Sequence, residues 1–175
     1  LLDTGYDAVL LPCPINIDNS AKISIIWQVR STCDSKVFSF GPVSLINTFS
    51  KDEYSDENER IENIRKYVQH ELSTIEWVED VKSLRFVGIG RYFEDLSKMV
   101  RKYKKYPFDR AHAFDMTLED MEYIITQVVA MGLDGSKKLK GLEDGRLDLF
   151  VLALIIMKEV FALFETTNVV VSKSG

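Results

Sequence analysis

The sequence predicts a mixed α/β fold, and its C-terminal part carries the clearest signal. Residues 147–164 contain only three charged side chains, so this segment is predicted to be a helix that the rest of the domain covers on nearly every side. The β-branched run Asn168–Ser172 follows almost at once and has the length of a buried strand. A buried helix that leads directly into a buried strand is half of an α/β unit, and the helix needs a sheet to lie on.

The overall composition sets broad limits. The chain has 175 residues, of which 46% are hydrophobic and 28% charged, as expected for one globular domain. Its longest apolar run, residues 149–157, is about half of the roughly 20 residues that a membrane-spanning helix needs, so no membrane segment is predicted. A net charge of −5 argues against nucleic acid as a partner.

The first residues and the cysteines give expectations about cellular context. The chain opens on Leu1 with no basic region and no cleavage signal, so we expect no targeting segment and interpret the sequence as the middle of a longer protein. Cys13 and Cys33 match neither a metal-binding spacing nor a disulfide framework. The sequence therefore predicts no disulfide and a cytoplasmic location.

The N-terminal part predicts three strands. Residues 1–11 are predicted to form two short extended pieces joined at an Asp-x-Gly turn, and the two prolines that follow forbid helix, so this segment is the first predicted strand. Residues 23–30 and 36–40 are rich in β-branched and aromatic side chains and lie on either side of a polar turn, the pattern of an antiparallel hairpin. Pro42 ends the hairpin and stands near the first position of a short helix predicted over residues 43–49.

The middle of the chain predicts helices and one further strand. Apolar side chains recur every three or four positions in residues 61–75, 92–103 and 118–129, which predicts three helices with one buried face each. Residues 84–87 predict a short strand before the second of these helices. The segment between the second and the third helix, residues 107–117, is predicted to be a loop.

Both ends of the helix at residues 92–103 carry a feature with more than one interpretation. Gly88 and Gly90 precede it, and a strand, a glycine loop and a helix N-terminus together form an arrangement that binds phosphate. A plain strand-to-helix turn also uses glycine, so both interpretations stay open. At the other end, residues 101–105 hold four basic side chains, which suits either the steering of a polyanion or a solvated helix end favoured by the helix dipole.

The order of the predicted elements is that of one lobe of the ribonuclease-H-like, actin-like ATPase superfamily. Short motifs sharpen this likeness, and they resemble the C-terminal part of the exopolyphosphatase and guanosine pentaphosphate phosphatase family. The resemblance covers residues 1–175 as a single domain, the second lobe of the core of that family. The motifs are Leu2-Asp3-Thr4-Gly5, Phe40-Gly41-Pro42-Val43-Ser44-Leu45, Tyr106-Pro107, Met116-Thr117-Leu118-Glu119-Asp120, Leu139-Lys140-Gly141-Leu142, Arg146-Leu147-Asp148 and Val171-Ser172-Lys173-Ser174-Gly175.

This resemblance implies both a fold and an activity. The fold would be a mixed five-stranded sheet with helices on both faces. The activity would be the release of orthophosphate from polyphosphate or guanosine pentaphosphate, with magnesium, in a cleft between two lobes. The first lobe, absent from this chain, would supply the carboxylate that positions water, so this lobe alone is expected to be inactive. The phosphate-binding residues implied are Asp3, Thr4, Gly5, Gly88, Gly90 and Arg91, with Asp3 also on the magnesium side.

The two loops that would hold phosphate depart from the family pattern. Tyr6-Asp7-Ala8 stands where the family has Gly-Gly-Ser, which exchanges close backbone approach and a hydroxyl for a ring and a negative charge. Gly90-Arg91-Tyr92 stands where the family has Gly-Gly-Thr or Ser-Gly-Thr. A second interpretation is therefore a non-catalytic relative that binds phosphate or a nucleotide, or that serves the assembly of a homodimer.

Overall fold

The computed structural model describes residues 23–29, 32–80, 82, 86–107, 113–131 and 147–172. These residues form five helices, five strands and two short 3-10 turns. In chain order the strands and helices are β1 (Ile23–Val29), β2 (Thr32–Phe38), α1 (Pro42–Thr48), α2 (Glu57–Leu72), β3 (Phe86–Ile89), α3 (Arg91–Tyr103), β4 (Phe114–Thr117), α4 (Leu118–Val129), α5 (Leu147–Leu163) and β5 (Asn168–Ser172).

The strands form one mixed sheet and one hairpin. In the three-stranded sheet β5 is central, with β3 parallel to it on one side and β4 antiparallel on the other. β1 and β2 pair with each other in an antiparallel hairpin. The hairpin is confirmed, but its turn is shorter than predicted, because β2 begins at Thr32 and takes polar residues into the strand.

The sequence predicted a single five-stranded sheet. This prediction is wrong for the described residues, in which the mixed sheet has three strands. The predicted strand at residues 1–11 lies outside the described residues. β4, by contrast, falls in a segment predicted to be a loop. It is only four residues long, and its two buried side chains, Phe114 and Met116, are too few to signal a strand in the sequence.

Helix α5 is the centre of the core, as its apolar composition predicted. Its residues from Phe150 to Met157 are all buried, and helices α1, α2, α3 and α4 all contact it. It meets the sheet through rings, since Phe86 of β3 packs 6.4 Å from Phe161 and 5.4 Å from Phe164 between ring centroids. No helix in the described part of the chain is long and apolar enough to cross a membrane.

The register of the sheet shows which side chains share the face that α5 covers. Phe86 pairs with Val169, and Gly88 pairs with Val171, so these four residues lie on one face. Phe93 of α3 packs over Gly88 on that same face. Both helices therefore contact one side of the sheet, and helices on the second side remain a prediction.

Helices α3 and α5 both end in a Schellman motif without glycine. After α3, the N–H of Tyr106 donates to the carbonyl of Arg101 at 2.8 Å, and Lys105 has a φ of 51°. After α5, the N–H of Thr166 donates to the carbonyl of Phe161 at 3.0 Å, and Glu165 has a φ of 51°. Both left-handed residues carry a Cβ that disfavours this conformation.

Candidate functional site

The phosphate-loop candidate lies where β3 ends and α3 begins. Gly90 is the N-cap of α3, with a φ of 101° and a ψ of 170°, a conformation that glycine adopts without steric cost. Having no side chain, it makes no side-chain cap hydrogen bond to the first N–H groups of the helix. Arg91 is the first helical residue, and its side chain is exposed. Gly90 and Arg91 thus form an electropositive helix start.

Gly88 has a different role from Gly90. It lies inside strand β3 and not in the loop that the sequence predicted. A Cβ at Gly88 would come closer than 3.0 Å to the ring of Phe93, which is itself only 5% exposed. Close packing between the strand and α3 therefore requires glycine here, and of the two open interpretations the structural one accounts for Gly88.

Tyr92 occupies the third position of the loop, where the family pattern has a threonine hydroxyl. Its side chain is 1% exposed and its ring lies stacked on Phe150 of α5, with 6.3 Å between the ring centroids. A side chain held in the core does not reach a ligand in front of the helix. Tyr92 therefore does not replace the hydroxyl that the family pattern has at this position.

Acidic side chains near the helix start limit its positive potential. Glu94 lies in the first turn of α3 and is half-buried. Asp95 is buried and accepts a hydrogen bond from Lys98 Nζ at 2.9 Å, so a nearby cation balances its charge. Glu94 consequently opposes anion binding at the loop more than Asp95 does.

The sheet adds one residue that the sequence prediction did not include. β3 and β5 are parallel, so their carboxyl ends meet at one edge of the sheet, where ligands of α/β folds commonly bind. Ser172 pairs with Ile89, which places it beside the residue that precedes Gly90. The order of strands in the sheet, which the sequence does not show, was needed to find it.

The remaining predicted site residues are not placed. Asp3, Thr4 and Gly5 lie outside the described residues, as do Tyr6, Asp7 and Ala8. The structure therefore brings together Gly88, Gly90 and Arg91 from the predicted set. Within the described ranges, no group of three or more His, Cys, Asp or Glu side chains could hold a metal ion.

The basic run at the end of α3 does not act as one cluster of charge. Arg101 is 6% exposed, and its Nε donates to the carbonyl of Ser97 at 3.3 Å. Lys104 Nζ donates to Asp120 Oδ2 at 2.8 Å, and this hydrogen bond raises the pKa of Lys104. Burial acts to raise the pKa of Asp120, but hydrogen bonds from Lys104 and Thr117 outweigh it, and the pKa lies below its ordinary value.

The described residues define a mixed α/β lobe with a glycine-started helix at the edge where two parallel strands end. A model of the Ppx/GppA phosphatase family matches residues 22–175. A solved Ppx/GppA family member from Aquifex aeolicus matches with a TM-score of 0.70 and 19% identity, over 96% of this chain and 52% of its own. An exopolyphosphatase from Cytophaga hutchinsonii matches with a TM-score of 0.73 and 16% identity, over 96% of this chain and 53% of its own.

This chain belongs to the Ppx/GppA phosphatase family, because the family match extends over most of its length. The family predicted from the resemblance is thereby confirmed, although the motif Leu2-Asp3-Thr4-Gly5 lies before the matched residues. The solved structures confirm the actin-like α/β fold. The chain spans about half the length of these solved relatives. No curated protein matches it at a significant level.

Proposed function

We propose that this chain is a single domain, the second lobe of a phosphohydrolase that releases orthophosphate from polyphosphate or guanosine pentaphosphate. The observation that supports this most is the electropositive start of α3 at the edge shared by β3 and β5, in a chain of the Ppx/GppA family. A first lobe, from the same protein, completes the cleft and supplies the carboxylate that positions water.

Each residue of the loop has a defined task in this proposal. The N–H groups at the start of α3 donate hydrogen bonds to phosphate oxygens, with Gly90 allowing close approach. Arg91 neutralises charge that develops on the transferred phosphoryl group. Asp3, Thr4 and Gly5 lie outside the described residues, and the proposal assigns them to phosphate binding through family likeness alone.

Magnesium belongs to the proposal through family likeness, where it would neutralise phosphate charge. The described residues contain no group of three or more His, Cys, Asp or Glu side chains that could hold it. Asp3, the predicted contact, lies outside them, so we assign no step to a metal held by this lobe. Chelation of divalent cations is expected to stop phosphate release by the full-length protein and readdition of magnesium to restore it.

Orthophosphate release from polyphosphate by the full-length protein, with Arg91→Ala beside the wild type, tests the proposal. One charge-assisted hydrogen bond contributes about 1.5–3 kcal/mol, so the loss of Arg91 is expected to lower kcat/KM roughly ten- to a hundredfold. Lys66→Ala, on the exposed side of α2, is the control and should match the wild type. If the wild-type protein releases orthophosphate neither from polyphosphate nor from guanosine pentaphosphate, the hydrolase proposal is contradicted.

A second candidate function, a non-catalytic relative that binds phosphate or a nucleotide, is favoured by the burial of Tyr92. Such a protein keeps the start of α3 but lacks the hydroxyl. It is expected to bind tripolyphosphate without cleaving it, and to gain activity when residues 6–8 are changed to Gly-Gly-Ser. Sedimentation velocity would then show whether it assembles as a homodimer.

A further inference from the structure

Two tyrosine side chains lie face to face on the surface between α3 and α4. Tyr103 is the last residue of α3, and Tyr123 lies in the middle of α4. Their ring centroids are 4.2 Å apart and their planes differ by 24°, so the rings are stacked in contact. Tyr103 is 51% exposed and Tyr123 is 45% exposed, so a reagent in solution reaches both phenols. We call these two residues the tyrosine pair.

An ion pair beside the tyrosine pair holds the two helices together. Lys104, which follows Tyr103 in the chain, donates from Nζ to Asp120 Oδ2 at 2.8 Å. Asp120 precedes Tyr123 by three residues, so the two are neighbours on the surface of α4. The carboxylate of Asp120 is itself fixed, because it accepts a hydrogen bond from the N–H of Thr117 at 3.3 Å. The two rings are therefore kept close by a contact that does not depend on the rings.

The contacts of other tyrosines have a different chemistry. Their rings pack against phenylalanine, as Tyr54 does with Phe49, Tyr67 with Phe40 and Tyr106 with Phe114. Phenylalanine has no phenol hydroxyl, so it does not form the oxygen-centred radical that a tyrosine forms when it loses an electron and a proton. The tyrosine pair, in contrast, brings two oxidisable phenols into contact.

We propose that the tyrosine pair is a site of oxidative cross-linking, at which a one-electron oxidant joins Tyr103 to Tyr123 as dityrosine. The co-reactant is hydrogen peroxide, used by a peroxidase. This inference goes beyond the proposed function, because it requires neither a phosphate ligand nor a first lobe.

The cross-linking step balances in atoms and electrons. Each phenol gives one electron to the oxidant and its hydroxyl proton to water, which leaves two tyrosyl radicals. A carbon–carbon bond then forms between one Cε atom of each ring. Each of these carbons loses its hydrogen as a proton, and each oxygen regains a proton. The tyrosine pair thus loses two electrons and two protons, and hydrogen peroxide takes them up as its O–O bond breaks and becomes two water molecules.

The contact between the rings determines which product forms. A radical on one ring has the second ring beside it, so coupling within one molecule is favoured over an encounter between two molecules. Exposed side chains rotate quickly, which lets the stacked rings turn until the two carbons meet. The new bond would close residues 103–123 into a loop that contains β4. Such a loop lowers the entropy of the unfolded chain, so the cross-linked protein is expected to resist unfolding.

Treatment of the full-length protein with hydrogen peroxide and a peroxidase, followed by peptide mass spectrometry, tests this proposal. The expected product is a peptide pair that joins Tyr103 to Tyr123 and is lighter by two hydrogen atoms, with the fluorescence of dityrosine. Its yield per molecule should not change with protein concentration, and the denaturation midpoint of the cross-linked protein should rise. Tyr123→Phe should lose this peptide pair completely. Tyr106→Phe removes an exposed phenol that packs against Phe114 and should keep the wild-type yield.

Three results would overturn the tyrosine pair as a cross-linking site. The first is oxidised wild-type protein without the peptide pair, under conditions in which free tyrosine forms dityrosine. The second is a yield that rises with protein concentration, which would show coupling between two molecules. The third is an unchanged dityrosine fluorescence in the folded Tyr123→Phe protein, which would place the coupling at other tyrosines. Circular dichroism of each variant establishes that it is folded.

Discussion

At the scale of single residues, Gly88 and Gly90 look alike in the sequence, but the structure requires glycine at each position for a different physical reason. Gly90 has a positive φ at the start of a helix, whereas Gly88 makes room for the Phe93 ring. Composition and spacing do not separate these reasons, because both glycines fit a phosphate loop and a plain turn equally well. The difference comes from the ring of Phe93, which folds back over the strand.

Replacement of Gly88 by alanine is predicted to destabilise the protein by about 1–3 kcal/mol, the usual cost of forcing an extra carbon into a packed core. Chemical denaturation measures this. Gly88→Ala/Phe93→Leu should recover part of the loss, because the smaller side chain relieves the overlap. Tripolyphosphate binding by the folded Gly88→Ala protein should stay at the wild-type level, and a loss of binding would instead assign Gly88 to the ligand.

At the scale of elements, long periodic segments were predictable and short ones were not. The helix later seen as α5 was predicted because its apolar residues exceed one face, and α4 because its apolar residues recur every three or four positions. At the start of α4, Thr117 and Asp120 form a capping box with hydrogen bonds of 3.2 and 3.3 Å. β4 was missed, because pairing with β5 makes it a strand and no sequence pattern shows that pairing. The burial of Arg101 likewise depends on residues distant in the sequence.

The end of α3 offers a stabilising substitution. Lys105 has a left-handed backbone conformation, which costs a residue with a Cβ about 1–2 kcal/mol. Glycine would remove this cost, but it would also destabilise the folded state by roughly 0.4–1 kcal/mol, because it raises the conformational entropy of the unfolded chain. Lys105→Gly is therefore predicted to stabilise the protein by about 0.5–1 kcal/mol. Thermal unfolding gives the melting temperatures of the Lys105→Gly and Lys105→Ala proteins. Equal melting temperatures would argue against backbone strain at this position.

The contact between α3 and α4 is predicted to make stability depend on pH. Hydrogen bonds from Lys104 and Thr117 hold the pKa of Asp120 below its ordinary value of 3.8 despite burial. The stabilisation is therefore present above that value, and it is lost as the pH falls through the lower pKa of the folded state. Denaturation midpoints of wild type and Asp120→Asn should converge below pH 3.8, and a constant difference across the acid range would contradict this assignment.

At the scale of the whole molecule, the described lobe carries one side of a candidate cleft. The described residues supply the start of α3, and the proposal assigns the water-positioning carboxylate to a separate first lobe. The 175-residue chain alone is therefore predicted to release no orthophosphate from polyphosphate. Release by this chain at a rate comparable to that of the full-length protein would show that one lobe is sufficient.

The central place of β5 in the sheet also has a consequence for synthesis on the ribosome. β3 and β4 each pair with β5 and are separated by it, so neither gains its partner until the residues near 170 have been made. By then the apolar faces of α3 and α4 have already left the exit tunnel uncovered. We therefore expect the nascent chain to have a long interval in which its core is open to chaperones or to aggregation, because the sheet cannot be complete before β5 has been made.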